Sequence, residues 1–163
     1  MTAKRLRDFL ERERVRYEVI PHRATYGAQE TAEAARIRPR DFAKTVIVEI
    51  DGRLAMAVLR ATEKLDPAAL KKAAGAKHVH LAAESEFEAK FPGCEPGAMP
   101  PFGNLYGMEV FVSKSLAGDE HIAFNAGSHA ELLKISYADF ERLVQPVMAT
   151  LSAVPRARNV ETA

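Results

Sequence analysis

The sequence predicts an α+β domain around a mixed β-sheet, and three observations favour this fold class. The 163 residues are a length typical of one domain, and helical and strand-like segments alternate irregularly along them. Two apolar, β-branched segments, residues 45–50 and 54–59, flank Asp51-Gly52. That dipeptide is typical of a tight hairpin because glycine tolerates a positive φ. A hairpin favours a mixed sheet over a doubly wound parallel one.

The other elements follow from apolar spacing, which is helical where apolar residues recur at i, i+3 and i+4 and strand-like where they alternate. The best-defined helix has Asp66 as N-cap, Pro67 in its first turn and Gly75 beyond its end. Helices are predicted over residues 3–14, 29–37, 66–75 and 84–91 and in a segment opened by Ser136, and strands over 16–21, 78–81, 109–113, 121–125 and 131–135.

A long loop is predicted over residues 92–107, which hold four of the nine prolines and four of the nine glycines. Long loops inside compact domains are usually functional. The domain is expected to span residues 1–146. Weak periodicity beyond that point predicts a weakly structured C-terminal tail over residues 147–163.

Composition excludes several classes of protein. Apolar residues make up 47% of the chain and charged residues 28%, which excludes a disordered chain, a coiled coil and a collagen-like fibre. The formal net charge is +1, so a polyanionic partner would have to meet a local basic patch. No apolar run approaches 18 residues and no signal-peptide core is visible, which predicts a cytoplasmic protein without membrane contact.

The sequence predicts neither a metal site nor a cofactor. His78 and His80 would share one face of a strand, but no third ligand of suitable type lies at a telling spacing. The single cysteine, Cys94, cannot form an internal disulfide. Phosphate-cradling and dinucleotide-binding glycine motifs and the Gly-x-Ser-x-Gly elbow are absent from the sequence.

Two features could carry chemistry. Lys44 stands at the entry of an apolar strand, where it either extends into solvent or lies at the mouth of a pocket. The segment 97–103 contains two prolines flanked by glycines. This segment either presents main-chain groups to a small ligand or serves as a stiff connector.

These features occur together in the order of a known family. Over approximately residues 6–144 the chain resembles the YbaK/EbsC family of aminoacyl-tRNA deacylases, which includes the editing domain inserted in bacterial prolyl-tRNA synthetases. The motifs that carry the resemblance are Lys44-Thr45 opening a strand, a Leu-Asp-Pro helix that ends in Gly-Ala-Lys, the loop from Glu95-Pro96-Gly97 to Pro101-Phe102-Gly103, and Phe124-Asn125-Ala126-Gly127.

The resemblance implies a mixed, partly closed sheet wrapped by helices and a trans-editing hydrolase that cleaves the ester of mischarged aminoacyl-tRNA. Proline tRNA is the first candidate for the tRNA, and an aminoacyl-tRNA synthetase is a candidate partner beside aminoacyl-tRNA itself. Lys44 maps to the family's functional lysine and is expected to act as an electrostatic anchor. The loop from Gly97 to Pro101 is expected to hold the aminoacyl end. The predicted substrate-binding residues are His22, Tyr26, Thr45, Gly97, Met99, Pro100, Pro101, Gly103, Asn125, Gly127 and His129.

The chain departs from the family members that clear cysteine from proline tRNA at Pro100 and over residues 127–131. Arg36, Arg38 and Arg40 form a basic cluster near Lys44 in sequence and are candidates for contacts with tRNA phosphates.

Two other classes of function stay open. One is a non-catalytic module that binds an aminoacyl or nucleotide-like group, and the other is a hydrolase of small esters.

Overall fold

The computed structural model describes residues 3–153, which form six α-helices and eight β-strands. The helices are α1 (Lys4–Arg12), α2 (Ala28–Ala34), α3 (Pro67–Ala74), α4 (Glu84–Phe87), α5 (Lys114–Ala117) and α6 (Tyr137–Val144). The strands are β1 (Glu18–Pro21), β2 (Ala43–Ile50), β3 (Arg53–Arg60), β4 (Val79–Leu81), β5 (Glu109–Ser113), β6 (His121–Asn125), β7 (Glu131–Ser136) and β8 (Val147–Ala149).

The strands form two sheets. Three antiparallel strands make a small sheet in the order β1-β7-β6, and five make a mixed sheet in the order β4-β2-β3-β5-β8. β3 pairs with β5 and β5 with β8 in parallel, while β2 is antiparallel to both of its neighbours. The α+β class with a mixed sheet is therefore confirmed.

Local sequence signals account for the central elements. β2 and β3 form the predicted hairpin, in which Asp51 and Gly52 both have positive φ, 48° and 87°. The Asp51 carboxylate also accepts hydrogen bonds from the backbone N–H groups of Lys77 and His78. These contacts fix the chain that leads into β4, so the turn organises one end of the larger sheet.

The two sheets meet where β2 begins. A parallel bridge joins Phe42, just before β2, to Ala123 in β6. Phe42 and Ala123 pack with Ala32 of α2 and Leu132 of β7 in one hydrophobic cluster. α2 therefore covers the junction, on the sheet face that carries Phe42.

The two faces of the larger sheet contribute to different clusters. Ala43 and Ile47 of β2 belong to the main core, together with side chains of α1, α6 and the 92–107 loop. The opposite face, which carries Val48 and Ile50, packs against α3. Alternate β2 residues therefore point into separate environments.

The predicted weakly structured tail is wrong for residues 147–153, because β8 pairs with β5 and Leu151 is fully buried. The Asp66 N–H donates to the Leu151 carbonyl, and a bridge joins Leu65 to Ser152. The sequence signal is weak because the strand is only three residues long and its pairing is non-local. Residues 154–163 of the predicted tail lie outside the described residues.

Candidate functional site

Lys44 lies in β2 at the junction of the two sheets. It shares a face with Phe42 and Val46, its neighbours two residues away. Phe42, two residues before Lys44, is bridged in parallel to Ala123, two residues before Asn125, so Lys44 and Asn125 follow the bridge on the same side. The lysine is half-buried. Its pKa is lowered by burial, against which the negative charge of Glu63 acts.

Two polar atoms at one end of the smaller sheet are buried without a hydrogen-bond partner within the described residues: Oδ1 of Asn125 and Nε2 of His22. Asn125 ends β6 and shares the face of Ala123. His22 follows β1, and its backbone N–H donates to the Ala130 carbonyl. Buried polar atoms are normally paired, so both are candidates for contact with a ligand.

The tautomer of His22 follows from its other ring nitrogen. Nδ1 lies 2.6 Å from the carbonyl oxygen of Arg23. A carbonyl only accepts, so Nδ1 carries the proton and donates it. In the neutral ring Nε2 is then an unprotonated acceptor, the form that a proton acceptor in catalysis requires.

Gly97 lies in a turn that is fastened to the segment after β6. The backbone N–H of Glu95 donates to the Gly127 carbonyl, and the Gly127 N–H donates to the Ala98 carbonyl. His129 adds two bonds, one from its backbone N–H to the Glu95 carboxylate at 2.7 Å and one from its ring Nε2 to the Pro96 carbonyl at 2.6 Å. We call residues 95–98 and 127–129 the clamp.

The clamp also contacts the loop before α2. The ring of Tyr26 lies 4.6 Å from that of His129, centroid to centroid, although 77% of Tyr26 is exposed. The Thr25 N–H donates to the His129 carbonyl. The structure thus brings His22, Tyr26, Gly97 and His129 to one end of the smaller sheet.

Other predicted residues lie elsewhere. Thr45 sits on the opposite face of β2 from Lys44, the face of Ala43 and Ile47. Met99 is in the main core and both Pro100 and Pro101 are buried. These side chains are therefore buried and are not exposed to a ligand at the clamp.

Two predicted glycines are required for close packing. A β-carbon on Gly103 would lie 2.5 Å from the Met108 carbonyl oxygen, and one on Gly127 would lie 2.7 Å from the β-carbon of Ala3. Gly127 also has a φ of +99°. Both positions therefore need glycine for backbone approach, whatever the ligand.

The predicted arginine cluster lies beside the junction, on the segment between α2 and β2. Arg36 and Arg40 are exposed. Arg38 forms an ion pair with Asp41 at 2.9 Å, which holds the pKa of Arg38 above its usual value. Arg36 and Arg40 are consequently the members of the cluster better suited to a phosphate, although their contact with tRNA stays a prediction.

Sequence reasoning missed the part that Glu95 and Pro96 play in the clamp and the position of Glu63 near Lys44. Glu95 and Pro96 stand in a recognised motif, so their proximity to Gly97 was visible, but their hydrogen bonds to His129 span more than thirty residues. Glu63 lies in an unremarkable polar link after β3, where no local signal marks it.

Within residues 3–153, no three histidine, cysteine or acidic side chains come together to hold a metal ion. Over the same range, the helices are too short or too polar to cross a bilayer.

The chain also matches known proteins. Residues 22–143 match the family model described as the aminoacyl-tRNA editing domain. A curated relative, the multifunctional Ser/Thr-tRNA deacylase ProXp-y of Escherichia coli K12, is 26% identical over 151 residues, 90% of each chain.

Solved structures with 20% identity or less share the fold. A candidate trans-editing enzyme for prolyl-tRNA synthetase superposes with a TM-score of 0.79 at 18% identity, over 93% of this chain and 97% of that one. The hypothetical protein APE2540 superposes with a TM-score of 0.82 at 20% identity, over 92% of this chain and all of that one.

Proposed function

The chain belongs to the aminoacyl-tRNA editing domain family, and from that premise we propose that it removes a small hydroxylated amino acid, serine or threonine, from mischarged tRNA. Membership confirms the family resemblance and the class of reaction, hydrolysis of the ester of aminoacyl-tRNA in trans-editing. The amino acid, the tRNA and the roles of individual residues are our proposal.

The observation that carries the choice of amino acid is the pair of buried acceptors without partners. An unsatisfied buried polar atom costs about 1–3 kcal/mol, which a donor on the substrate would relieve. Asn125 Oδ1 and His22 Nε2 can each accept from a hydroxyl, an ammonium group or water. The similarity to a relative named for Ser/Thr-tRNA supports a side-chain hydroxyl as one of these donors.

The chemistry that the residues support is direct attack by water. As water attacks the ester carbonyl carbon, its proton passes to Nε2 of neutral His22. Negative charge then develops on the carbonyl oxygen, and the ammonium group of Lys44 stabilises it. The bond from carbon to the ribose oxygen breaks, and His22 returns the proton to that oxygen. The products are the free amino acid and tRNA with an intact terminal hydroxyl.

Lys44 needs only its charge for this role. An aminoacyl ester is already activated, so positioning and electrostatic stabilisation carry most of the catalysis. Gly97 and the clamp would hold the aminoacyl end through main-chain groups.

Proline tRNA stays the first tRNA to test, with a synthetase as partner. The reason is the fold shared with the candidate trans-editing enzyme for prolyl-tRNA synthetase.

The test is a deacylation panel of proline, serine, threonine and alanine tRNAs carrying serine, threonine, alanine or cysteine. We expect the highest kcat/KM for a hydroxylated amino acid on a mismatched tRNA. Lys44→Met keeps the apolar stem and removes the charge, and it should lower the rate by about 10²–10³, the usual loss for one positioned electrostatic donor.

Wild-type turnover by Lys44→Met would remove the lysine from the mechanism. If small seryl and threonyl esters without tRNA are turned over as fast as the aminoacyl-tRNAs, the small-ester hydrolase is favoured. Tight binding of aminoacyl-tRNA without turnover would favour the binding module. Preference for alanyl over seryl substrates would contradict the proposed amino acid.

A further inference from the structure

We propose that Glu63 is the counter-charge of Lys44, and so is a positioning residue of the reaction. This inference rests on the proposed function, in which Lys44 acts through its charge. Glu63 follows β3 and belongs to none of the predicted site residues.

Strand register places the two residues on one side of the larger sheet. Lys44 pairs with Leu59 of β3. Val58 pairs with Val112 of β5, so Leu59 lies level with Ser113 one residue further on. Ser113 shares the face of Phe111, which packs with Leu59. Lys44, Leu59 and Ser113 thus form one row across three strands, and the Ser113 hydroxyl donates to Glu63 Oε2 at 3.2 Å.

The Glu63 carboxylate is held from several sides. Oε1 accepts from the backbone N–H of Arg60 at 2.9 Å. Oε2 also accepts from the hydroxyls of Ser115 and Ser152, at 3.0 and 3.2 Å. Three separate segments therefore fix one negative charge at the end of the row.

The guanidinium of Arg60, three residues before Glu63, is paired with a different carboxylate. The guanidinium of Arg60 binds both carboxylate oxygens of Asp119 at 2.9 Å, in an ion pair that is mostly buried. The Lys44 ammonium forms no ion pair or hydrogen bond with any residue from 3 to 153. The charge of Glu63 is thus left to act on Lys44.

The electrostatics agree with this arrangement. Burial lowers the pKa of Lys44, and Glu63 raises it. Charged groups on the helices that cover this face are directed to solvent, where water and salt screen them. They are Glu30 and Glu33 of α2 and Lys71 and Lys72 of α3.

The sign of the pH dependence follows. The ammonium is lost as the pH rises through the pKa of Lys44, so kcat/KM should fall on the alkaline side. Glu63→Gln removes the opposing charge and keeps the hydrogen-bonding shape, which lowers the Lys44 pKa further. At low pH the kcat/KM of the variant should equal that of wild type. Its alkaline fall should begin at a lower pH than that of wild type. Above both pKa values the ratio of the two kcat/KM values should be constant.

The experiment compares pH profiles of kcat/KM for wild type, Glu63→Gln, Glu63→Asp and Ser115→Ala. The Lys44 side-chain pKa is followed in parallel by NMR of the intact protein with ¹³C-labelled lysine. We expect Glu63→Gln to shift the alkaline limb and the NMR titration to lower pH together, and Glu63→Asp to shift them less. Ser115→Ala removes one bond to the carboxylate but no charge, so its profile should stay that of wild type.

An unshifted Lys44 titration in folded Glu63→Gln would overturn the inference, and so would an equal loss of activity at every pH. Neither result touches the proposed function, which fails separately if Lys44→Met keeps wild-type turnover. If Glu63→Gln does not fold, the Glu63→Asp titration decides the question alone.

Discussion

Gly97 offers the sharpest test of the clamp, because Gly93 provides a matched control. Both glycines are exposed in the 92–107 loop and have nearly equal positive φ values, +85° and +84°. A β-carbon on Gly93 would meet nothing within 4 Å, whereas one on Gly97 would lie 3.4 Å from Cε1 of His129. Alanine at either site thus imposes the same backbone strain, but only Gly97→Ala adds an atom beside the His129 ring.

The two variants should lose similar stability. A left-handed conformation costs a residue with a β-carbon about 1–2 kcal/mol, and the less flexible unfolded chain returns about 0.4–1 kcal/mol of this. The net loss is therefore about 1 kcal/mol, or roughly 2–4 °C in Tm for a domain of this size. A distance of 3.4 Å is ordinary contact, so His129 adds little to the cost.

Activity should separate the variants. The new methyl group of Gly97→Ala occupies the space where the aminoacyl end would meet the clamp, and a misplacement of about 1 Å can cost about 10² in rate. We expect kcat/KM on seryl-tRNA to fall at least tenfold in Gly97→Ala and to stay at the wild-type value in Gly93→Ala. Equal kcat/KM in the two variants, each corrected for folded fraction, would show that the loop is a connector and not a binding element.

Two further predictions concern Asn125 and the C-terminal segment. Asn125→Ala should lower the preference for seryl over alanyl tRNA by about 2- to 10-fold, the worth of one hydrogen bond of about 0.5–1.5 kcal/mol; an unchanged ratio of kcat/KM values would show that Oδ1 does not recognise the hydroxyl. Leu151→Ala should cost about 2–5 kcal/mol in denaturant unfolding, because Leu151 is fully buried. Val147→Ala, at a residue 39% exposed, should stay within about 0.5 kcal/mol, and equal unfolding of these two variants would contradict a packed C-terminal segment.

The elements that sequence predicted well are those whose signals are local. α3 has its Asp66 cap accepting from the Ala68 N–H and Gly75 in the left-handed conformation. The Ser136 side chain caps α6 by accepting from the Asp139 N–H. Such contacts span two or three residues, so the residue types alone specify them.

Elements that depend on distant partners were missed or misplaced. β8 has three residues and exists because β5 lies beside it, and α5 is a single turn after β5. The helix predicted over residues 29–37 ends at Ala34, because Arg36 adopts a φ of +61° and the chain turns toward β2. No local pattern records these tertiary constraints.

The candidate site shows the same division. Lys44 and Gly97 could be found through motifs, and alternation along β2 predicts that Lys44 and Thr45 face opposite ways. The bridge between Phe42 and Ala123 decides whether Lys44 or Thr45 is directed to the junction. That bridge spans 81 positions, and sequence spacing carries no trace of it.

The residues of the candidate site share one property: each departs from what stability alone would favour. Lys44 is a charge held partly out of water, His22 and Asn125 keep buried acceptors unpaired, and Gly97 adopts a conformation that other residues resist. Departures of this kind collect at functional sites and are offset by interactions elsewhere. In this chain the clamp fixes Gly97, and the fully bonded Glu63 opposes the loss of charge at Lys44. The two offsetting interactions lie on separate segments. Glu63→Gln and Gly97→Ala should therefore lower activity independently, and their effects on the activation free energy should add in the double variant.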